Sequence, residues 1–203
     1  MICCCSSSAD SSRLDNRSPA SALELQQQII AELPAVPDDA PSDSAVDPSL
    51  PARVLLVGDS QSWVLSAGLE TWAAANGVNV VPSPGVGCGI GENTPIEYLG
   101  VEQDERRGCT EWRNALPQIV AKFRPNLVVI VGGTADLSNR RIPGSDEWSH
   151  IGQPAYDEWL ATQMTTFVDV VAATGARVVW FSSPTVRPPY VAGETGVPPF
   201  DES

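Results

Sequence analysis

The stretch RVLLVGDSQSWVLSAGLETW (residues 53–72) decides the fold, because it changes from a strand pattern to a helix pattern within a few residues. Residues 53–57 form a short apolar run, which is typical of a strand that is buried on both faces. The helix pattern starts at Trp63. The small and polar residues in between, Gly58-Asp59-Ser60, predict a tight turn that places Ser60 at the carboxyl end of the strand.

The same alternation of strand and helix recurs along the rest of the chain. Strands are predicted at residues 53–57, 78–84, 126–133 and 176–184. Helices are predicted at residues 63–77, 110–123 and 154–175. In the first of these helices, four apolar residues share one face, which we expect to be buried: Leu65, Leu69, Trp72 and Ala73. Apolar strands that alternate with helices indicate an α/β fold, in which a parallel sheet lies between two helical layers.

Small or polar residues follow three of the predicted strands: Gly58-Asp59-Ser60, Gly132-Gly133-Thr134 and Ser182-Ser183-Pro184. Because parallel strands end at the same edge of a sheet, where such folds bind ligands, we expect Ser60 at the functional edge. From the residues alone, two roles stay open for Ser60. Its hydroxyl could cap the following helix. Alternatively, it could point outward as a nucleophile, with backbone amides at the helix start facing a developing oxyanion.

The composition limits the expected partners. The chain has 203 residues, of which 25 are acidic and 12 are basic, and its formal net charge is −13. Nucleic acid is therefore not an expected partner. The longest aliphatic run, residues 127–131, is far shorter than the roughly 18 residues of a membrane span, and residues 1–19 lack the pattern of a secretory signal. We expect neither a membrane span nor an export signal in this chain.

Two segments of different composition divide the chain. Residues 1–51 are rich in Pro, Ala, Asp and Ser and predict a disordered linker, with a short helix at residues 21–33. Residues 52–203 predict one folded domain. The cysteines of the linker, which carry no recognisable signature, are Cys3, Cys4 and Cys5.

The stretch PGVGCGIG (residues 84–91) contains four glycines and predicts a tight loop, with or without catalysis. It does not fit a dinucleotide-binding loop, because Ile90 occupies the place of the third glycine in G-x-G-x-x-G. We therefore expect no nucleotide, and we expect no other cofactor and no metal. Cys88 in this loop could pair with Cys109, and from the residues alone a disulfide and two buried thiols are both open.

Four stretches together resemble one superfamily: VLLVGDS (54–60), PGVGCGIG (84–91), CTEWRNALP (109–117) and NRRIPGSDEWSHIGQPAYDEWL (139–160). The resemblance is to the SGNH (GDSL-type) hydrolases, and within them to the SGNH domain of acyltransferase-3 type proteins of the cell envelope. It implies a three-layer, flavodoxin-like α/β fold. It also implies a location outside the cytoplasm or at a membrane.

The resemblance implies roles for individual residues. Ser60 would be the nucleophile, and its own amide and that of Gly87 would donate to the oxyanion. Asp59 would shape the turn. Cys88 and Cys109 match positions that are often cysteine in this branch, which implies a disulfide between them.

The third block of the superfamily differs in this chain. Its pattern is Gly-x-Asn-Asp, whereas residues 133–136 read Gly-Thr-Ala-Asp. Ala135 therefore stands where the family has an oxyanion-donating Asn, and the loss of one such donor lowers rates by about 10²–10³-fold. Thr134 is a candidate replacement donor, and Asp136 a supporting residue.

The final Asp-x-x-His block of the superfamily is missing from this sequence, so no imidazole is identified to take the proton from Ser60. The single histidine, His150, lies in DEWSH (146–150), which has the wrong spacing and follows the third strand, so we expect a surface or loop-bracing role. Arg140 and Arg141 are expected in a solvated or salt-bridged turn rather than in an anion clamp. Because the family sheet usually has five strands, we expect that the last strand is missing here and that the fragment has little esterase activity.

The function expected from the resemblance is that of a serine esterase or O-acyltransferase. It would act on acyl (acetyl) esters of cell-envelope carbohydrate through an acyl-enzyme on Ser60. Its expected partners are the acylated carbohydrate and a membrane acyltransferase domain. The alternative is a module that binds a carbohydrate or an acyl group without reacting.

Overall fold

The computed structural model describes residues 22–33, 52–91, 94–98, 101–104 and 107–181. Its helices are α1 (Ala22–Glu32), α2 (Ser60–Asn76), α3 (Arg107–Phe123) and α4 (Pro154–Val171). Its strands are β1 (Arg53–Gly58), β2 (Asn79–Pro84), β3 (Ile96–Tyr98), β4 (Val101–Gln103), β5 (Leu127–Val131), β6 (Asn139–Arg140) and β7 (Arg177–Phe181). A short 3₁₀ helix spans Thr134–Leu137.

The main sheet contains the four predicted strands in the order β2-β1-β5-β7, and all neighbours are parallel. The predicted α/β fold with a parallel sheet is confirmed. Numbered along the chain, the strand order is 2-1-3-4, as in flavodoxin-like sheets. The order reverses between β1 and β5, and open α/β sheets bind ligands beyond the strand ends at such a point. The third predicted polar strand end, residues 182–184, lies outside the described residues.

A second, smaller sheet was not predicted. It is antiparallel, with the order β4-β3-β6. Ile96 of β3 pairs with Arg140 of β6, and Glu97 pairs with Asn139. The segment after β2 is thereby joined to the segment after β5, so the loops at the carboxyl edge of the main sheet support one another.

The core lies between the sheet and the helices α3 and α4. β1 is buried along its whole length, whereas β5 is fully buried on one face, at Val128 and Ile130, and partly buried on the other, at Leu127 and Val129. The largest core side chains come from the helices, where Trp112 and Phe167 pack with their ring centroids 5.7 Å apart. The continuous burial of β1 is what an unbroken apolar strand predicts.

The buried face predicted for α2 is largely wrong. Ala73 is buried as expected, but Leu65 and Trp72 are about half exposed, and the helix buries Ser62 and Ser66 instead. These serine hydroxyls donate to carbonyls of the helix itself, at 2.7 and 2.8 Å, so their burial leaves no hydroxyl without a partner. Small side chains on this face let the helix approach the sheet closely, and hydropathy does not report that preference.

The first helix joins the core, although the linker that contains it was predicted to be disordered. The short helix itself was predicted, and α1 has nearly the expected bounds. Ile29, Ile30 and Leu33 pack against the main core, and Lys122 Nζ of α3 donates to the carbonyl of Ile30 at 3.1 Å. Residues 22–33 therefore pack against the core, while the boundary between linker and domain at residue 52 stays a prediction.

Candidate active site

Asp59, rather than Ser60, caps α2. Asp59 has an extended backbone, and its Oδ1 accepts from the amide of Gln61 at 2.8 Å. Ser60 is the first residue of the helix, and it is exposed. Within the described part of the chain, its hydroxyl has no hydrogen-bond partner. Of the two roles left open by the residues, capping belongs to the neighbouring aspartate, and the serine hydroxyl faces solvent.

Two glycines bring the ends of β1 and β5 together beside Ser60. Gly58 has φ +140°, and a Cβ at this position would collide with the carbonyl oxygen of Val131. Gly132 has φ +157°, and its Cβ would lie 2.8 Å from the amide nitrogen of Asp59. The Asp59 amide donates to the carbonyl of Val131 at 3.2 Å. The turn before α2 is therefore packed directly against the end of β5, where the strand order reverses.

The loop after β2 reaches the same edge. The amide of Gly85 donates to the carbonyl of Gly58 at 2.7 Å, and that of Cys88 donates to the carbonyl of Gly85 at 2.9 Å. Residues 85–88 thus form a β-turn. Its third residue is Gly87, which has the left-handed φ of +74° that type II turns require there. Gly87 therefore lies at the same edge of the sheet as Ser60. The oxyanion-donor role that the resemblance implies for its amide stays a prediction.

Helix α3 holds this loop in place. Trp112 Nε1 donates to the carbonyl of Ser83 at 2.9 Å. A Cβ on Gly85 would lie 2.5 Å from the Trp112 ring, so the loop backbone passes directly over the indole. Cys88 and Cys109 form a disulfide, with their Cα atoms 5.3 Å apart. The pairing implied by the family resemblance is thus present in the structure, where it joins the loop to the first turn of the helix.

The far end of the loop is bound by a buried carboxylate. Asp136, in the 3₁₀ helix after β5, is only 4% exposed. Its Oδ2 accepts from the amide of Ile90 at 2.8 Å, and its Oδ1 accepts from the amide of Gly91 at 2.9 Å. Arg140 Nη2 lies 3.5 Å from Oδ1. The predicted supporting residue therefore acts by fixing the loop.

Four other polar side chains surround Asp136. Arg140, which is 2% exposed, donates to Thr94 Oγ1 at 3.0 Å. Tyr156 donates its hydroxyl to the carbonyl of Asp136 at 2.6 Å, and Arg113 donates to a carbonyl of the glycine loop at 3.1 Å. We call these five residues the Asp136 cluster. Of the two settings expected for Arg140, a solvated or a salt-bridged turn, the structure shows the salt-bridged one, and the ion pair with Asp136 is buried.

Burial governs the ionisation of the cluster. It raises the pKa of Asp136 above its ordinary value of 3.8, and this effect outweighs the opposing effects of Arg140, of two loop amides and of Arg113. Burial likewise raises the pKa of the Tyr156 hydroxyl. Because these groups are buried, a substrate cannot reach them. The cluster therefore has a structural role, in which it holds the loop after β2 against the segment after β5.

The third block gives the site no side-chain donor at Ala135, whose carbonyl accepts from Arg140 Nη2 at 3.4 Å. Thr134 begins the 3₁₀ helix. Its side chain lies outside what the structure describes, so its predicted donor role stays a prediction.

The remaining candidates brace loops. His150 Nδ1 lies 2.7 Å from the carbonyl oxygen of Ile151, to which it can only donate. This contact matches the loop-bracing role predicted for His150. Arg141 forms two hydrogen bonds to Glu102, at 2.8 and 3.1 Å, and its guanidinium lies 4.5 Å from the ring centroid of Trp148. Arg141 is thus in a salt-bridged turn, as predicted.

Three of the residues that shape the site were missed by the sequence reasoning: Arg113, Thr94 and Tyr156. Their partners lie 20 to 46 positions away along the chain. No local pattern marks them, because hydropathy and spacing describe neighbours on one element only.

Neither a metal site nor a membrane-spanning helix is found in the described ranges. In them, no group of three or more His, Cys, Asp or Glu side chains is arranged to hold a metal ion. Nor does the described part contain a helix of the length and hydrophobicity needed to cross a membrane.

Comparisons with known proteins give limited similarity. A family described as proteins of unknown function (DUF459) matches residues 101–196, which is less than half of the chain. No curated protein matches. A solved structure of a proposed acylhydrolase from Bacteroides fragilis aligns with a TM-score of 0.44 and 16% identity, over 79% of this chain and 58% of that protein. Neither likeness assigns an activity to this chain, so its function has to be inferred from the site.

Proposed function

We propose that this chain is a serine acyl-transfer domain. Ser60 attacks the carbonyl carbon of an acyl ester, acetyl or similar, on cell-envelope carbohydrate. The alcohol leaves with a proton, and the acyl group on Ser60 passes to water or to a second hydroxyl. The observation that carries the proposal is the exposed Ser60 hydroxyl, which lies at the start of α2 where the strand order reverses.

The backbone around Ser60 supports this chemistry. The first amides of a helix have no partner inside the helix, and its dipole favours negative charge there. The Gln61 amide is bound by Asp59 Oδ1, and the Ser62 amide donates to the Asp59 carbonyl at 3.1 Å. No described residue accepts from the Ser60 amide, which is therefore available to an oxyanion. The Gly87 amide, in the adjoining turn, is the proposed second donor.

No side chain of the described residues is identified as the proton acceptor for Ser60. Serine needs a base to become a good nucleophile. His150 is the single histidine of the chain, and its described contacts are to Ile151 and Gln153 of its own loop rather than to Ser60. We therefore propose that the chain reacts with activated acyl analogues but turns over p-nitrophenyl acetate slowly. A membrane acyltransferase domain, as in the acyltransferase-3 type proteins, is its proposed partner.

The proposed location is outside the cytoplasm or at a membrane. The disulfide between Cys88 and Cys109 supports it, because disulfides persist in oxidising compartments.

A binding module for carbohydrate or acyl groups is the second candidate function. It is favoured by Ala135, which cannot donate where the superfamily has Asn. It is also favoured by the amides of Ile90 and Gly91, which are occupied by Asp136 and are not free for an oxyanion. Such a module would use the same edge of the sheet and would leave Ser60 unreacted.

An activated fluorophosphonate separates the two candidates. We expect a phosphonyl adduct on the peptide that contains Ser60, detected by mass spectrometry, and its loss in Ser60→Ala. Ser145→Ala is the control, because this serine lies in an exposed turn where its hydroxyl bonds to Glu147. That variant should still be labelled at Ser60.

The outcomes are distinct. A folded protein that acquires no adduct at Ser60 would contradict the acyl-transfer proposal and favour the binding module. Turnover of p-nitrophenyl acetate at the rate of an intact esterase, lost in Ser60→Ala, would show that a base is present and that the expectation of slow turnover is wrong.

A further inference from the structure

The exposed face of α2 beside Ser60 is apolar. Trp63 is 60% exposed and Val64 is 77% exposed. They follow Ser60 by three and four positions, so they are its neighbours on the helix surface, at about 5–6 Å between Cβ atoms. Any group attached to the Ser60 hydroxyl therefore has an indole and an isopropyl group within its reach.

The glycine loop adds a further apolar side chain to this edge. Val86 is 46% exposed, in the turn that Gly85 binds to the end of β1. Gly58, the last residue of β1, lies two positions before Ser60. The loop and the helix thus both present aliphatic or aromatic surface near the proposed nucleophile.

Charge is absent from this part of the helix. Residues 60–69 contain no Asp, Glu, Lys or Arg, and Glu70 is the one charged residue of α2. The chain as a whole carries 37 such residues (25 acidic and 12 basic) among 203. An exposed apolar patch of this kind marks a contact site. With no cation on the helix beside Ser60, it suits a neutral ligand.

We propose that Trp63 and Val64 bind the acyl chain of the ester that Ser60 attacks, and that the site prefers neutral esters whose acyl group is longer than acetyl. This inference rests on the proposed function. The acyl group is the part of the substrate that stays bonded to Ser60 after the alcohol has left. It is therefore the part that must lie against the nearest neighbours of Ser60 on its own helix.

Two phosphonates that differ only in the alkyl group on phosphorus test the proposal: ethyl p-nitrophenyl methylphosphonate and its hexyl analogue. The rate of Ser60 labelling is measured for each, and the ratio of hexyl to methyl is compared among variants. We expect a ratio of about 10 in the unaltered chain, the value given by burial of two of the added methylenes.

Three variants sharpen the test. Trp63→Ala should bring the ratio close to 1, and Trp63→Phe should keep most of the preference. Trp72→Ala is the matched control, because Trp72 is 53% exposed on the same helix but lies about 18 Å from Ser60 along the helix axis. It should leave the ratio unchanged. Both positions, Trp63 and Trp72, are exposed, so these variants should fold.

The results separate this inference from the proposed function. Equal labelling of Ser60 by both phosphonates, or a ratio that Trp63→Ala does not change, overturns the acyl-chain site and leaves acyl transfer intact. Absence of any adduct overturns both. A dimer at labelling concentrations that dissociates on Trp63→Ala, seen by sedimentation, would assign this face to a second copy of the chain and also overturn the inference.

Discussion

The polar residues that follow β1 and β5 lie in opposite environments, one exposed and one buried. After β1, Ser60 is exposed, and its hydroxyl has no partner in the described part of the chain. After β5, Asp136 is buried and accepts two backbone amides beside Arg140. Both segments follow a buried strand at the same edge of one sheet. Only the first leaves its polar side chain exposed.

The difference indicates that the two segments have different roles at this edge. The β5 side fixes the glycine loop through the Asp136 cluster, and the loop in turn lies against the end of β1. Asp59 also stabilises this edge, because it caps α2. The Ser60 hydroxyl is therefore not needed as the cap. A rigid clamp beside an uncommitted serine is an arrangement that a nucleophile requires.

The largest effect is expected for Gly58→Ala, which disrupts the contact between the ends of β1 and β5. The added Cβ would collide with the Val131 carbonyl in a backbone conformation that L side chains rarely adopt. We expect a loss of about 4 kcal/mol or more in the free energy of unfolding, measured by urea denaturation. Gly68→Ala is the control, since no atom lies within 4 Å of its Cβ and the helix should gain stability.

The clamp itself is tested by Asp136→Ala. This change leaves Arg140 with a buried, unpaired charge and two loop amides without acceptors, so we expect a loss of about 3–5 kcal/mol. Arg141→Ala breaks a half-exposed ion pair with Glu102 and should change stability by less than about 1 kcal/mol. Equal losses in the two variants, in the same denaturation assay, would show that the β5 side is not a buried clamp.

The disulfide gives a way to loosen the loop without altering the clamp. Its cysteines are separated by 21 positions, for which the loop-entropy account gives about 3 kcal/mol. Cys88→Ser with Cys109→Ser should lower the free energy of unfolding by that amount, and reductant should have the same effect on the unaltered chain. Reductant should not change the free energy of unfolding of the double variant. A further decrease there would show that reductant acts on something other than this disulfide.

A smaller effect is expected from Asp59→Ala on the β1 side. Loss of the cap should lower the free energy of unfolding by about 1 kcal/mol. Serine is itself a good capping residue, so the Ser60 hydroxyl can take over the vacant role, and phosphonate labelling should then slow. A variant that is labelled as fast as the unaltered chain would show that the cap does not keep Ser60 available.

The smallest expected effect is a pH dependence of the clamp. The pKa of Asp136 is raised, so the folded chain binds its proton more tightly than the unfolded chain does. The contribution of this group to the free energy of unfolding is therefore fully present below pH 3.8, and it declines as the pH rises through the raised pKa. Asp136→Asn cannot ionise, so urea denaturation at a series of pH values should show less of this decline in the variant.

Much of the fold follows from local pattern. The strand at Leu127–Val131 is an uninterrupted aliphatic run that lies within the predicted residues 126–133, and three of its five residues are buried. The position of Ser60 at the functional edge follows from the same reasoning, because parallel strands must end together. These features depend on residues that are neighbours in the chain, and hydropathy reports such features well.

Other features depend on packing that local pattern cannot report. The buried face of α2 was assigned to Leu65 and Trp72, whereas close approach to the sheet favours Ser62 and Ser66. The capping role was left open for Ser60, whereas the structure gives it to Asp59, and both residue types cap well. Only the backbone geometry of Asp59 and its contact with the Gln61 amide decide it.

The Asp136 cluster was beyond sequence reasoning for a related reason. Asp136 was assigned a supporting role from the family resemblance, but its partners Ile90 and Gly91 lie 46 and 45 positions away. Arg140 shows that a charged residue in a polar turn can be nearly inaccessible, because two loops meet over it.

The attachment of the glycine loop to α3 affects how the chain can be shortened for experiments. The loop touches that helix through Trp112 and the disulfide, and α3 in turn carries α1 on its outer side. A deletion of everything before residue 52 would strip Ile29, Ile30 and Leu33 from the domain. Work on the isolated domain should therefore start its expressed piece no later than residue 22.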